Sequence, residues 1–526
     1  MTRPRNVLFI MADQLRADYL GCTGHPHIKT PNIDALAAEG VLFSNAYVQA
    51  TVCGPSRMCF YTGRYMSSHG STWNGVPLRV GEPTLGDHLR ELGVRTALVG
   101  KTHMSVDTAG MKRLGVDPQS IEGIFASQCG FEPYQRDDGL HPDRSADPDL
   151  AYNRYLRDLG YETDNPWHSA ANAGQGAEGD ILSGWYMRNA GEPANVAEDH
   201  SETAYMTDRA MEFIAEAKDA PWCLHLSYIK PHWPYIAPAP YHDMYGEVDV
   251  IAPVRSEDER DNAHPVYRAY RQHEESVTFS RDEVRQTVIP VYMGLISQID
   301  AHIGRLVAYL KEHGLYETTT IVLTSDHGDY LGDHWLGEKE LFHEQSARVP
   351  LLIRDPDADA TRGTVCDDIV QSIDLAPTFY EALGGDPASL DHILEGRSLA
   401  PILRGDAENE RPGFAVAELD YTFRPGRRQL ELAPDAARAR MLRQGRWKYV
   451  QFDGYDPQLF DLETDPDELH DLGTDAALAG VREEMERNLA AWQRDRKMRI
   501  TMSNQRVEER CDAIEAKASG VMIGKW

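Results

Sequence analysis

Thr319-Thr320-Ile321-Val322-Leu323-Thr324-Ser325-Asp326-His327 is the stretch that decides the fold. Its first seven residues are β-branched, apolar or small, which reads as a short strand buried on both faces, and it stops on two polar side chains. Four other runs have the same character: Asn6 to Ala12, Val94 to Gly100, Trp222 to Ile229 and Pro350 to Arg354. Helical patterns alternate with them. That alternation predicts an α/β class with a large, mixed, mostly parallel sheet flanked by helices. The longest helical pattern precedes Thr319: Val288, Tyr292, Leu295, Ile296, Ile299, Ile303, Leu306 and Leu310 keep one apolar stripe, and Ser280 with Glu283 has the spacing of a capping box.

Outward from this core the pattern changes twice. About residues 135–202 the chain is rich in Asp, Gly, Asn and Pro and lacks periodicity, so we expect an insertion over one face that shapes a pocket. After about residue 400, Arg440 to Phe452 reads as a hairpin strand, Gln458 to Leu472 as an acidic turn region and Thr474 to Met498 as a helix. We therefore expect a catalytic domain over 1–400 and a smaller α+β unit over 401–526, since single cores stop growing near ~250–300 residues. The apolar tail Val521-Met522-Ile523-Gly524-Lys525-Trp526 has no local partner and is expected to support a homo-oligomer, a dimer or tetramer.

Of 526 residues, 53 are Lys or Arg and 83 are Asp or Glu, for a formal charge of −30. Nucleic acid needs a basic footprint and is not expected as a partner. Any anion handled must meet a locally positive site. No apolar run approaches the ~18 residues that span a bilayer, and Met1-Thr2-Arg3-Pro4-Arg5 lacks a signal-peptide core, so a soluble, cytoplasmic protein without membrane partners is expected. Seven scattered cysteines with no CxxC spacing predict reduced thiols.

In an open α/β sheet, ligands collect beyond the carboxyl ends of the strands. Asp13 and Gln14 follow the first predicted strand, Lys101 and His103 the second, His232 the third, Asp326 and His327 the fourth, with Lys339 thirteen residues on. Singly, an Asp there is a cap or turn former, a His a loop residue and Lys339 a solvated charge between Glu338 and Glu340. Four of five strands delivering such residues to one edge reverses that reading.

These residues accompany Cys53-Gly54-Pro55-Ser56-Arg57 and Thr62-Gly63-Arg64-Tyr65. Together with Gly93 to His103, Ser325-Asp326-His327-Gly328 and Leu459-Phe460-Asp461-Leu462-Glu463-Thr464-Asp465-Pro466, they resemble the sulfatase family of the alkaline phosphatase superfamily. One departure is Thr102, where a large aromatic is common. The resemblance implies an alkaline-phosphatase-like fold and conversion of Cys53 to formylglycine by a formylglycine-generating enzyme. The hydrate of that aldehyde supplies one hydroxyl to attack the ester and a second to expel the product. It further implies one divalent metal ion, calcium or manganese, held by Asp13, Gln14, Asp326, His327 and an oxygen of modified Cys53. Arg57 is then expected to hydrogen-bond the hydrate, Lys101 and Lys339 to neutralise the anionic ester, His232 to act as general acid and His103 as base. The two histidine roles are interchangeable.

Gln14 and His327 stand where many sulfatases carry an acid and an Asn, and both look like the phosphonate monoester hydrolase and phosphodiesterase branch. An amide makes the metal cup less negative and admits a more charged substrate; an imidazole moves preference toward manganese. Lys101 and His103 instead resemble the sulfatase pair, and Asn74 matches a position near the leaving oxygen in the phosphonate branch. The expected substrate is a small anionic ester, a sulfate monoester with an aryl leaving group, with phosphonate monoesters and phosphodiesters as side activities or, alternatively, as the main activity. A non-catalytic relative would have lost strand-end polar residues, and none is missing. Trp73, Trp233, Tyr235 and Trp335 are read as packing residues before they are read as an aryl-binding wall.

Overall fold

The computed structural model describes residues 5–139, 141, 149–217, 220–406 and 411–515, so the apolar tail lies outside the described residues. Fourteen strands are described. They are β1 (Asn6–Asp13), β2 (Val41–Tyr47), β3 (Arg95–Gly100), β4 (Glu132–Arg136), β5 (Ala173–Gln175), β6 (Ile181–Ser183), β7 (Trp222–Pro231), β8 (Thr319–Thr324), β9 (Leu351–Arg354), β10 (Thr364–Gln371), β11 (Phe414–Asp420), β12 (Arg438–Gln444), β13 (Trp447–Phe452) and β14 (Gln458–Asp461). Eight form one sheet in the order β10-β2-β9-β8-β1-β7-β3-β4, with β1 at its centre between β8 and β7. All five expected strands lie in it. Pairings are parallel except those of β9, which runs antiparallel to both β8 and β2. The chain leaves β8 at its carboxyl end and returns into β9 from the same edge, with Thr324 opposite Leu351, so that edge carries the whole loop 325–350.

Side-chain alternation along β1 explains the two layers of core. Leu8, Ile10 and Ala12 face the long helix Asp282–Glu312, while Val7, Phe9 and Met11 face the helix Cys53–Thr62. All eight residues of the predicted apolar stripe are at most 1% exposed, each worth roughly 1.5–3 kcal/mol of burial. The expected capping box does not form. Ser280 ends the preceding helix Glu274–Phe279 and its hydroxyl donates to the Val277 carbonyl at 2.8 Å, leaving Arg281 to open the long helix.

β11 to β14 form an antiparallel meander backed by the helix Ala479–Arg494. Gln458 to Asp461, read from sequence as part of a turn region, is its fourth strand. The meander is fastened to the main sheet by the Glu418 N–H donating to the Gln49 carbonyl at 2.9 Å and by fully buried Lys448. That lysine donates to the Phe342 carbonyl at 3.0 Å and pairs with Glu344 and Glu468 at 2.7 Å each.

Candidate active site at the carboxyl edge of the sheet

Cys53 is the first residue of the helix Cys53–Thr62, whose ten residues are all buried. Pro55 falls in its first turn, where the missing N–H costs no helical bond. The Gly54 N–H, orphaned at this helix start, donates to Asn74 Oδ1 at 2.8 Å. A Cβ at Gly54 would lie 2.8 Å from that same oxygen, so the residue after the cysteine is small for a local reason. The backbone donor fixes the Asn74 amide with its oxygen inward and turns Nδ2 the other way.

Cys53 Sγ lies 3.0 Å from His327 Nε2 and 4.0 Å from Asp13 Oδ1. Asp13, Cys53, Asp326 and His327 are all buried, with one ligand-type atom of each within 4.8 Å of the others. The His327 Nδ1–H is directed at the Gly328 carbonyl, 2.9 Å away, which leaves Nε2 for a ligand. Gly328 itself is required: a Cβ there would lie 1.9 Å from the Gln345 carbonyl oxygen. Two carboxylates, an imidazole and the Cys53 side chain, with an amide oxygen beside them, match the donor set of a divalent metal site.

Arg57 is fully buried and grips that cup from beneath. Nε donates to Asp326 Oδ2 at 2.8 Å, Nη2 lies 3.3 Å from Asp13 Oδ2, and Nη1 donates to the Lys101 carbonyl and the Ser227 hydroxyl. Its donors therefore hold the two carboxylates that flank Cys53. Lys101 Nζ pairs with Asp13 Oδ2. Burial opposes ionisation of Asp13, but Lys101 overcomes it, aided by Arg57, and the carboxyl is held well below the usual range. Asp326, with Arg57 as its main cation, is pushed up by burial and by the Asp13 charge. Burial would raise the Cys53 thiol, yet Lys339, His327 and Lys101 outweigh it and carry the thiol far down.

Lys339 Nζ donates to Gln14 Oε1 at 2.9 Å and sits 3.2 Å from His232 Nε2. The His232 Nδ1–H points at the Trp233 carbonyl, 2.7 Å away. Burial first, then Lys339, lowers His232 to about 4, so this imidazole is neutral at neutral pH and its Nε2 lone pair faces the Lys339 ammonium. The loop holding His103 is fixed by its N–H and that of Thr102, which both donate to Asp138 Oδ1 at 3.0 and 2.8 Å. His103 Nδ1 is buried without a hydrogen-bond partner, and its ring contributes a hydrogen bond that favours the Cys53 thiolate.

Sequence reasoning missed Asp329 and its part in the cup. Gln14 Nε2 donates to Asp329 Oδ2, which also receives the Tyr235 hydroxyl at 2.8 Å. Gln14 is held at φ 66°, a left-handed backbone for a non-glycine residue, costing roughly 1–3 kcal/mol. Of the four aromatics, Trp73 stacks on Phe423 and Trp335 Nε1 donates to the Ser256 carbonyl at 2.9 Å, both packing roles. Trp233 lies 4.7 Å from the His232 ring and, with Trp185, Tyr235 and Glu338, lines a cavity of about 720 Å³. Gly184 to Arg188 from the insertion complete that wall.

The chain matches the sulfatase family profile over residues 5–385, and one described as "N-sulphoglucosamine sulphohydrolase, C-terminal" over 332–495. It is 32% identical over 538 residues to the multifunctional alkaline phosphatase superfamily protein PehA of Trinickia caryophylli, covering 94% of this chain and 95% of that one. With the choline-sulfatase of Rhizobium meliloti it shares 29% identity, across 89% and 82% of the two chains. The solved phosphonate monoester hydrolase of Silicibacter pomeroyi superposes with a TM-score of 0.82 at 30% identity, covering 94% of this chain and 97% of that one. On the family profile and these relatives together, the chain belongs to the sulfatase family and is a hydrolase acting on sulfate or phosphate esters.

Proposed function

We propose that this protein is a formylglycine-dependent sulfatase of aryl sulfate monoesters, with phosphonate monoesters and phosphodiesters as secondary substrates. The observation that carries the reading is the convergence of Lys101 and Lys339 on the Asp13–Gln14 cup around Cys53. All three substrate groups are tetrahedral and anionic, so one pair of ammonium groups serves them all. Each such preorganised donor is typically worth ~3–4 kcal/mol in the transition state. Lys101 and His103, uncharged positions in the phosphonate branch, weigh toward sulfate.

Modified Cys53 supplies a geminal diol as nucleophile, and a divalent ion, calcium or manganese, supplies Lewis acidity beside it. Asp13, Gln14, Asp326 and His327 would hold that ion. Arg57 keeps the two carboxylates apart and oriented. The Lys339–His232 pair delivers a proton to the departing oxygen, and His103 removes one on the opposite side as the product is expelled. Because His232 is neutral in the resting protein, the proton at this pair resides on Lys339. The aryl group lies against Trp233 and Trp185, whose rings meet edge to face at 5.7 Å, in the adjoining cavity. All seven cysteines are unpaired, in keeping with a reducing, cytoplasmic setting, and among the described residues no helix is long and apolar enough to cross a membrane.

An unconverted Cys53 is a second reading with its own support, since the thiol is already driven toward thiolate. Mass spectrometry of the tryptic peptide Thr30–Arg57 from protein made with the modifying enzyme separates the two. We expect an aldehyde in place of the thiol, together with faster turnover of aryl sulfate than of aryl phosphonate. A thiol in fully active protein overturns the mechanism; faster phosphonate turnover reverses the substrate order.

A further inference from the structure

β4 ends at Arg136, which sits beside Gly100 in the parallel register of β3 and β4, and the Asp137 N–H donates to the Gly100 carbonyl at 3.0 Å. The two strands finish side by side, so residues 137–138 run along the loop that carries Lys101 and His103. That loop is irregular backbone, and its polar groups are held at both ends and in the middle. The Lys101 N–H donates to the Ser227 carbonyl at 3.1 Å, and the Lys101 carbonyl accepts from Arg57 at 2.8 Å. The N–H groups of Thr102 and His103 converge on one oxygen, Asp138 Oδ1. The Met104 N–H donates to the Thr102 hydroxyl at 3.3 Å, and the Met104 carbonyl accepts from Arg136 Nη2 at 2.9 Å.

Arg136 also donates to the second Asp138 oxygen, Oδ2, at 2.6 Å, and its Nη1 reaches Gln128 Oε1 at 3.2 Å. One guanidinium thus fixes the carboxylate and, directly, the far end of the loop. Burial opposes ionisation of Asp138, but Arg136 outweighs it, aided by the His103 N–H, and holds the carboxyl at about 2. The charge makes Oδ1 a strong acceptor for both amides. Such a clamp has work to do because His103 has a φ of 53°, a left-handed conformation that a residue with a Cβ seldom adopts. Released, the residue relaxes to the ordinary region and carries its imidazole away from Cys53, whose thiolate that ring favours. Thr102 supplies the hydroxyl that closes the turn on Met104, and a large aromatic at 102 offers no acceptor there.

We propose that Asp138 is a positioning residue: oriented by Arg136, it holds the backbone of His103 so that the imidazole stands beside Cys53 and takes up the proton released as the product is expelled. The inference rests on the role proposed above for His103, and it places the clamp late in the reaction. The alcohol departs with a proton from the Lys339–His232 pair before His103 acts. Since kcat/KM reports only steps up to that departure, it is insensitive to the placing of His103, whereas kcat is not.

The full-length wild type is compared with Asp138→Ala and Asp138→Asn by amide hydrogen exchange and by steady-state kinetics on an aryl sulfate. In Asp138→Ala the amides of residues 102–104 are expected to exchange at least about tenfold faster. Its kcat is expected to fall about 10²-fold, the cost of misplacing a group by ~1 Å, with KM falling in step so that kcat/KM stays within about threefold of wild type. Asp138→Asn keeps an acceptor toward both N–H groups but turns an amide donor toward Arg136, so a fall in kcat of about tenfold with kcat/KM unmoved is expected. That split carries the test if the alanine variant does not fold. Wild-type exchange in folded Asp138→Ala shows that the loop needs no clamp, and equal falls in kcat and kcat/KM in either variant show that Asp138 is structural; each overturns the proposal. If wild type does not turn over aryl sulfate, the function proposed above falls, and the exchange rates alone still decide whether Asp138 fixes the His103 backbone.

Discussion

Lys339 and Gln14, 325 positions apart in the chain, meet with the lysine ammonium donating to the glutamine Oε1 at 2.9 Å. On the other side of the same amide, Gln14 Nε2 donates to Asp329. The side chain therefore bridges a cation and an anion and has one usable orientation. A carboxylate at position 14 satisfies Lys339 but turns an oxygen toward Asp329, whose carboxyl burial already pushes up.

Gln14→Glu is accordingly expected to lower both Tm and kcat/KM, the latter by about 10²-fold, because like charges confined in a buried site cost several kcal/mol. Adding Asp329→Asn restores a donor opposite the new carboxylate. We expect the double variant to recover most of the stability in thermal melts. Equal losses in the single and double variants would show that Asp329 does not set the choice of amide.

Asn74 caps the helix Cys53–Thr62 through its oxygen and presents its amide nitrogen outward. Asn74→Ala should cost about 1 kcal/mol in denaturant unfolding, the usual worth of a helix cap. Asn74→Asp keeps the acceptor and should regain that stability without regaining turnover. If both variants lose activity only in proportion to stability, Asn74 has no part in substrate handling.

Lys339 is the main charge that depresses His232 to about 4, after burial itself. Lys339→Met removes a cation that opposes imidazolium formation, so the His232 value should rise toward 6.5 and the acid limb of the kcat profile should move to higher pH with it. We expect kcat to fall by about 10²–10³-fold. Imidazole NMR of wild type and variant follows the titration directly, and a limb that stays in place disproves the pairing.

Acid stability rests on other histidines. His69 and His225, fully buried, are both lowered to about 3, burial being the first cause in each. The unfolded chain takes up these protons first, so their stabilisation is complete above the unfolded value near 6.5 and is lost as pH falls toward 3. At 1.36 kcal/mol per pKa unit each contributes on the order of a few kcal/mol. Unfolding free energy should therefore drop steeply below pH 6. His225→Phe, which removes the titrating ring but keeps its stack on Phe9 at 4.3 Å, should flatten that slope.

Much of the architecture could be read because burial on both faces leaves a plain signal: β1, β3, β7, β8 and β9 are nearly unbroken apolar runs. β2, β4 and β10 give no such signal because they carry the marks of edges or irregular positions. Ser44 and Asn45 interrupt β2, and β10 exposes Asp367 and Asp368, charges that keep an edge strand from pairing with another chain. Within the site, residues at strand ends announced themselves by place. Asp329 did not, since its importance lies in which amide it faces, a fact of three dimensions. Nor did Arg57, whose motif marked it as functional without saying that its partners would be Asp13 and Asp326.

Burial of the whole helix Cys53–Thr62 has a consequence for the life history of the molecule. In the folded protein Cys53 is 1% exposed, so an enzyme that rewrites its side chain must reach it while the chain is still open. On the reading proposed above, maturation and folding are then competitors in time, and the winner is decided once per molecule. A copy that folds first keeps its thiol for good, and a preparation's specific activity becomes a record of that race.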